Sequence, residues 1–235
     1  MAKRGGTNHL KRLATPKAVP IKDKKARTWI LNTAPGPHAK KHSLSLGVLL
    51  RDVLKVVASS KEAKKILTER KVSIDGRVRA DVKFPVGLMD LVTLSNGKTY
   101  RIVLDSKGRL MPLELEKNPE NKIARVVGKQ TIPGGKLTLS LHDGKTLSSD
   151  NHVKVGDSVV VSLPVAKLKS HLKLEKGARC LIREGKHAGS IVKLMEIIPR
   201  KAGKPSEAVV SNKEDGEFIT VAKYLFVVDD SFSTQ

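Results

Sequence analysis

Between residues 42 and 94 the apolar positions fall into a regular order. Leu46, Leu49, Leu50, Val53, Leu54 and Val57 repeat at the three-and-four spacing of one helix face, with Arg51, Asp52 and Lys55 off it. Ser59 followed by Glu62 is the capping-box signature of a second helix start, and the pattern predicts a helix over 61–71. On that helix Ala63, Ile66 and Leu67 share one face, while Lys61, Lys64, Lys65 and Lys71 point away from it. Next comes Asp75-Gly76 between two β-prone runs, a hairpin signal because both central residues of a type I′ turn need positive φ. An apolar, strand-like run over 86–94 closes the unit.

After residue 94 the period shortens from helical to β. Runs at 91–94 and 99–104 flank Asn96-Gly97, runs at 137–141 and 146–147 flank Asp143-Gly144, and a run at 158–163 follows Gly156-Asp157. Turns this regular predict a compact β-domain over 95–172. Further runs at 178–183, 190–198, 208–211 and 218–228 read as a second small β-barrel over 173–235. The first 42 residues carry no such pattern. Pro16, Pro20, Pro35 and Pro37 interrupt any long helix, and only 9–13 reads as a short one. A segment of this kind cannot bury enough apolar surface to fold alone. It is either a solubility tail or an arm that orders on RNA, and Trp29 with Ile30-Leu31 favours the arm. The expected class is therefore α+β, with a basic arm (1–42), an αα-hairpin-plus-β domain (43–94), a central β-domain (95–172) and a C-terminal barrel (173–235).

Charge gives this architecture a chemistry. The chain of 235 residues has 45 Lys and Arg against 23 Asp and Glu, a formal charge of +22. By segment the nets are +10, +4, +6 and +2, so the charge is graded toward the N-terminus. A surplus of that size opposes compaction unless a polyanion neutralises it, which points first to nucleic acid and second to an anionic membrane surface. No apolar run approaches the ~18 residues of a spanning helix, and no amphipathic segment sets bulky aromatics opposite Lys or Arg. A membrane partner is therefore not expected. Aromatic residues make up 3% of the chain, which argues against binding that relies mainly on stacked single-strand bases. Cys180 is the lone cysteine, placed in an alternating run as a buried strand thiol, and its isolation fits a reducing cytoplasm. No apolar core follows the charges of residues 1–6, so no secretory signal is expected.

Catalytic patterns fail one by one. Gly97-Lys98-Thr99 and Gly144-Lys145-Thr146 resemble the end of a phosphate-binding loop, but Val92 and Leu139 stand where the earlier glycine is required. Gly134-Gly135-Lys136 also lacks the frame. His38 and His42 are four apart with no Cys or acidic residue nearby to complete a metal site. The other histidines are scattered, and nothing suggests a nucleophile with its base. The expectation is no catalytic residue, no metal, no cofactor and no small-molecule substrate. Gly185-Lys186-His187-Ala188-Gly189 joins two β-runs with Lys186 and His187 at its tip. It is an ordinary barrel loop, or one that approaches RNA or a protein partner with little bulk.

Residues 173–198, with Gly177, the 185–189 loop and Ile191, resemble the KOW motif of SH3-like barrels in ribosomal and transcription proteins. Residues 42–94 resemble the small RNA-binding domain first named from a bacterial small-subunit ribosomal protein. The first 42 residues contain His9-Leu10-Lys11-Arg12-Leu13-Ala14 and Gly36-Pro37-His38, and Phe84-Pro85-Val86-Gly87-Leu88-Met89-Asp90 closes the second segment. In this order the pieces resemble the archaeal and eukaryotic ribosomal protein family S-four-e over nearly the whole chain. One departure is Ala18 after Pro16-Lys17, where the family usually has a bulky aromatic. The resemblance implies a non-catalytic constituent of the small ribosomal subunit in the cytoplasm, with rRNA and neighbouring ribosomal proteins as partners.

The mechanism this implies is electrostatic. Lys and Arg neutralise phosphates and release counterions, while selectivity comes from the shape of folded RNA. Candidate RNA-binding residues are Lys61, Lys64, Lys65, Lys71, Arg77 and Arg79 in the helix-hairpin ledge. In the arm they are Lys3, Arg4, His9, Lys11, Arg12, His38, Lys40 and Lys41, and in the last loop Lys186 and His187. Two alternatives are a KOW-containing transcription or regulatory factor, and an RNA-modifying enzyme. The enzyme would need a large catalytic domain, and only small β-modules follow residue 94.

Overall fold

The apolar series that opens residues 42–94 is buried, but less of it is helical than its spacing predicts. In the computed structural model, which describes residues 9–115, 121–149, 152–200, 203–212, 216–229 and 232, the chain forms two compact units. The first comprises residues 1–102 and 110–114, the second residues 103–109 and 115–235. Strands dominate and helices are few.

The first unit begins with β1 (Leu10–Lys11) and β2 (Trp29–Ile30), paired antiparallel with Leu10 opposite Ile30. This corrects the expectation for the arm, whose described part is folded. Ala18, Val19, Ile21 and Ile30 are buried. The Leu110 N–H donates to the Ala18 carbonyl at 2.8 Å, and the Ala34 N–H to that of Lys83 at 2.9 Å. Each anchor is a single apolar residue at an irregular interval, so no period announces it.

β3 (Ser43–Ser45) runs into α1 (Leu46–Val48), which widens at once into a π-helical turn over Leu49–Val53. The Leu54 N–H bonds to the Leu49 carbonyl at 2.8 Å, and Lys55 turns left-handed at φ 55°, so the helix predicted to reach residue 57 stops early. Leu46, Leu49, Leu50 and Val57 are buried all the same. α2 (Ser60–Thr68) starts as its capping pattern predicts, with Ser59 Oγ accepting the Glu62 N–H at 3.2 Å. The Glu62 carboxylate reaches one residue further back than in a capping box, to the Ala58 N–H at 2.9 Å. Arg70, left-handed at φ 58°, ends the helix before residue 71, and the Lys71 N–H closes on the Ile66 carbonyl at 3.2 Å.

β4 (Val72–Ile74) and β5 (Arg77–Val78) form the expected hairpin, with Asp75 at φ 51° and Gly76 at φ 73°. The run over 86–94 is two strands, β6 (Pro85–Gly87) and β7 (Leu91–Leu94), separated by a tight turn with Met89 at φ 67°. β6 pairs with β3. β8 (Thr99–Leu104) and β9 (Leu110–Leu115) complete a sheet of order β5-β4-β7-β8-β9. The Asn96-Gly97 hairpin therefore belongs to the same sheet as β4, and the boundary expected at 94 runs through that sheet. Only Gly97 in this turn has positive φ, 81°, and the loop has three residues, 95–97, closed by Leu94 N–H to the Lys98 carbonyl at 3.0 Å.

The second unit contains two antiparallel sheets. In the first, β10 (Asn121–Thr131) lies at the centre, flanked by β11 (Leu137–Leu141), β12 (Thr146–Ser149), β13 (Ser158–Ser162) and β14 (Lys167–Leu172) in the order β12-β11-β10-β13-β14. β10 pairs with β13 through its first half and with β11 through its second, shifting register between Val126 and Gly128. Its core includes Ala124, Val126, Leu139, Leu141, Val159 and Val161. The other sheet comprises β15 (Arg179–Ile182), β16 (Ile191–Ile198), β17 (Glu207–Asn212), β18 (Gly216–Val221) and β19 (Leu225–Val227), ordered β18-β17-β16-β15-β19. Alternate residues such as Cys180, Ile182, Val192, Leu194 and Val210 form its core.

Candidate nucleic-acid interface

α2 owes its place to two side chains. Ala63 and Leu67 are buried and Ile66 is half-buried, which turns Lys61, Lys64 and Lys65 outward into solvent. None of the three lysines makes an ion pair among the described residues. Lys71, past the helix end, is exposed but holds Glu69 at 2.6 Å. That hydrogen bond is the main reason the Glu69 carboxyl sits below its usual range. The I′ turn then presents Arg77 to solvent, while the Asp75 carboxylate is buried and accepts the Leu91 N–H at 3.1 Å. Arg79 is half-buried with its guanidinium 4.5 Å from the Phe84 ring centre, a cation–π contact that fixes its direction. α2 and the hairpin thus present Lys61, Lys64, Lys65, Lys71 and Arg77 to solvent.

The arm residues divide. Lys11 stands opposite Trp29 across the β1–β2 pair and is exposed, as are Lys40 and Lys41 on a single turn of tight helix. Trp29 is 56% exposed, and the ring of His9 tilts against it at 5.7 Å. Arg12 and His38 are corrections. Arg12 is buried and its Nε donates to the Asp23 carbonyl at 2.8 Å. His38 is buried with Nε2 2.9 Å from Asp90 Oδ2, and a Cβ at Gly87 would strike its ring. Both are engaged inside the fold. Lys3 and Arg4 lie outside the described residues.

In the 185–189 loop, Lys186 is exposed, whereas His187 is half-buried and stacks on Phe218 at 4.2 Å. Ala188 is buried, and a Cβ on Gly189 would collide with the Asp105 carbonyl oxygen. Close packing within the second unit explains Gly189, so its lack of bulk serves the fold. Sequence reasoning missed Arg70, exposed at the end of α2 beside Lys71. Its signal would have been a helix end at 69, which the apolar period does not mark. Among the described residues no group of three or more His, Cys, Asp or Glu could hold a metal ion, and no helix is long and apolar enough to cross a membrane.

Known proteins resemble this chain along most of its length. Residues 96–168 match the family model described as Ribosomal family S4e, and residues 4–41 match the RS4NT domain. The small ribosomal subunit protein eS4 of Methanosphaera stadtmanae is 41% identical over 230 residues, covering 97% of this chain and 95% of that protein. Its counterpart from Methanocaldococcus jannaschii is 38% identical over 240 residues, covering 98% and 97%. The crystal structure of 30S ribosomal protein S4e from Thermoplasma acidophilum superposes with a TM-score of 0.69 at 31% identity, over 81% of this chain and 96% of that one.

Proposed function

The chain belongs to the ribosomal S4e family, and from that premise we propose that it is a structural constituent of the small ribosomal subunit that binds and stabilises folded rRNA. It serves translation without catalysing a reaction. Its partners are rRNA and the neighbouring ribosomal proteins, and its place is the ribosome in the cytoplasm. The observation that carries the mechanism is α2, with one face buried through Ala63 and Leu67 and three unpaired lysines on the other. Such a face gives affinity for the phosphate backbone without reading bases. Residues 43–94 act as the RNA-binding domain, and the sheet from β15 to β19 is an SH3-like barrel whose 185–189 loop is the KOW loop. Lys11, Lys40 and Lys41 extend the cationic surface along the arm, and Lys186 does so on the last sheet.

Sedimentation tests the reading. In lysate fractionated at high salt, the protein should co-migrate with small subunits; migration with RNA polymerase would replace this function with a transcriptional one. Trp29 is the chain's single tryptophan, so its fluorescence reports on the arm. It should change when purified small-subunit rRNA is added.

A further inference from the structure

Arg125 ends the stretch of β10 that pairs with β13, and it stands directly opposite Ser158. Ala124, Val126 and Val159 point into the core of that sheet, so alternation sends Arg125 and Ser158 together to its other face. Both are buried there, with 7% and 0% of their surface exposed. Arg125 Nε and Ser158 Oγ each lack a hydrogen-bond partner. Buried polar groups are usually bonded, and two orphans side by side on one face need a cause.

The backbone of Arg125 is pinned by His142, whose Nδ1 accepts its N–H at 3.1 Å and whose N–H bonds its carbonyl at 3.0 Å. The His142 ring meets Phe226 edge-on at 5.3 Å. Phe226 pairs across β19 and β15 with Leu181, two residues before Arg183, and both are fully buried. Burial first, and then the like charge of Arg183, push the Arg125 guanidinium below its usual pKa. Glu184 holds Arg183 Nη2 at 3.1 Å. Asp157, next to Ser158, bonds His171 at 2.7 Å and accepts the N–H groups of Leu174 and Lys154. Asp143 is paired with Lys122. No acid is paired with Arg125 among the described residues.

A guanidinium taken out of water beside a second cation is unfavourable unless an anion answers it. We propose that Arg125, Arg183 and Ser158 form an oxyanion pocket that takes a phosphate group. Guanidinium forks and a hydroxyl are the donors that match tetrahedral oxygens. Resting on the function proposed above, the phosphate in the ribonucleoprotein is one of the rRNA backbone; inorganic phosphate is the other source of the same chemistry.

The full chain distinguishes these. Thermal unfolding is followed in chloride and in inorganic phosphate at constant ionic strength, for wild type, Arg125→Met, Ser158→Ala and the surface control Lys193→Glu/Lys223→Glu, whose two lysines are exposed. Phosphate should raise the wild-type midpoint by about 2–4 °C at saturating concentration. The control should keep that rise, Ser158→Ala should keep part of it, and Arg125→Met should lose it while remaining at least as stable as wild type in chloride. A rise that survives in Arg125→Met would place phosphate binding elsewhere, a variant that unfolds in chloride would show that the guanidinium is satisfied within the fold, and either would overturn the pocket. Binding to small-subunit rRNA over a salt series identifies the source. A salt slope lower by about one in Arg125→Met assigns the phosphate to RNA. An unchanged slope with the inorganic rise lost assigns it to free phosphate. If wild type binds no rRNA, the ribosomal reading fails while the thermal arm still decides the pocket.

Discussion

Lys122 is one of the largest fully buried side chains among the described residues and carries a charge. It projects into the core of the sheet built around β10 and meets Asp143 at 3.0 Å, with Lys145 at 3.6 Å on the same carboxylate. Burial alone would raise the Asp143 pKa, but the attraction of Lys122, aided by His142 and Lys145, outweighs it and holds the carboxyl below its usual value. A carboxyl depressed on folding contributes stability above its unfolded pKa, roughly 3.9, and loses it as pH falls through the folded value. Lys122→Met should therefore destabilise by about 3–5 kcal/mol near neutrality, because it leaves a buried carboxylate short of its main partner. The deficit should narrow in acid, where the wild type also loses the pair, and Lys122→Met/Asp143→Asn should recover much of the loss. Urea unfolding of the three proteins at pH 7 and near pH 3.5 reads both effects. A deficit independent of pH would mean that Lys122 acts through packing alone. Cys180 needs no such partner, and burial pushes its thiol up to about 12.

At the scale of elements, legibility followed locality. The Asp75-Gly76 hairpin and the start of α2 were readable because the residues that set them are adjacent: two positive φ angles in one case, a Ser three positions before a Glu in the other. The end of α1 was not, since its π-turn leaves the apolar spacing intact while changing the backbone. Nor was the boundary at 94, because Asn96-Gly97 looks the same whether it joins strands of one sheet or two domains. Arg12 and His38 were misjudged for a related reason: composition marks a residue as cationic, and only long-range contacts decide that it is buried. The arm is the largest miss, and it yields a test. Its amides bond at fixed places, Arg12 to the Thr28 carbonyl and Ala34 to that of Lys83, both at 2.9 Å. Those amides should exchange slowly in the free protein. His38→Ala removes the link to Asp90, which is 52 residues away, and should speed exchange over 29–42 while α2 stays protected. Exchange of the wild-type arm at the rate of an unfolded peptide would restore the disordered reading.

For the whole molecule, the question is whether +22 acts as a diffuse cloud or through particular faces. If six to ten phosphates are contacted, affinity for rRNA should fall on the order of a thousandfold or more between 50 and 200 mM salt, and a flat titration would refute the electrostatic mechanism. A steep titration alone does not locate the charge. Lys64 and Lys65 lie on the solvent side of α2, away from buried Ala63 and Leu67, so reversing both to Glu leaves the packing face intact. Lys193 and Lys223 are also exposed but lie in residues 173–235, whose net charge is only +2. Each double reversal changes the total charge by the same amount. At one fixed salt concentration, with circular dichroism showing both variants folded, the α2 reversal should cost at least tenfold more rRNA affinity than the other, as two attractive charges become repulsive where phosphates sit. Equal losses would mean that affinity follows total charge, and α2 would then be one cationic surface among many.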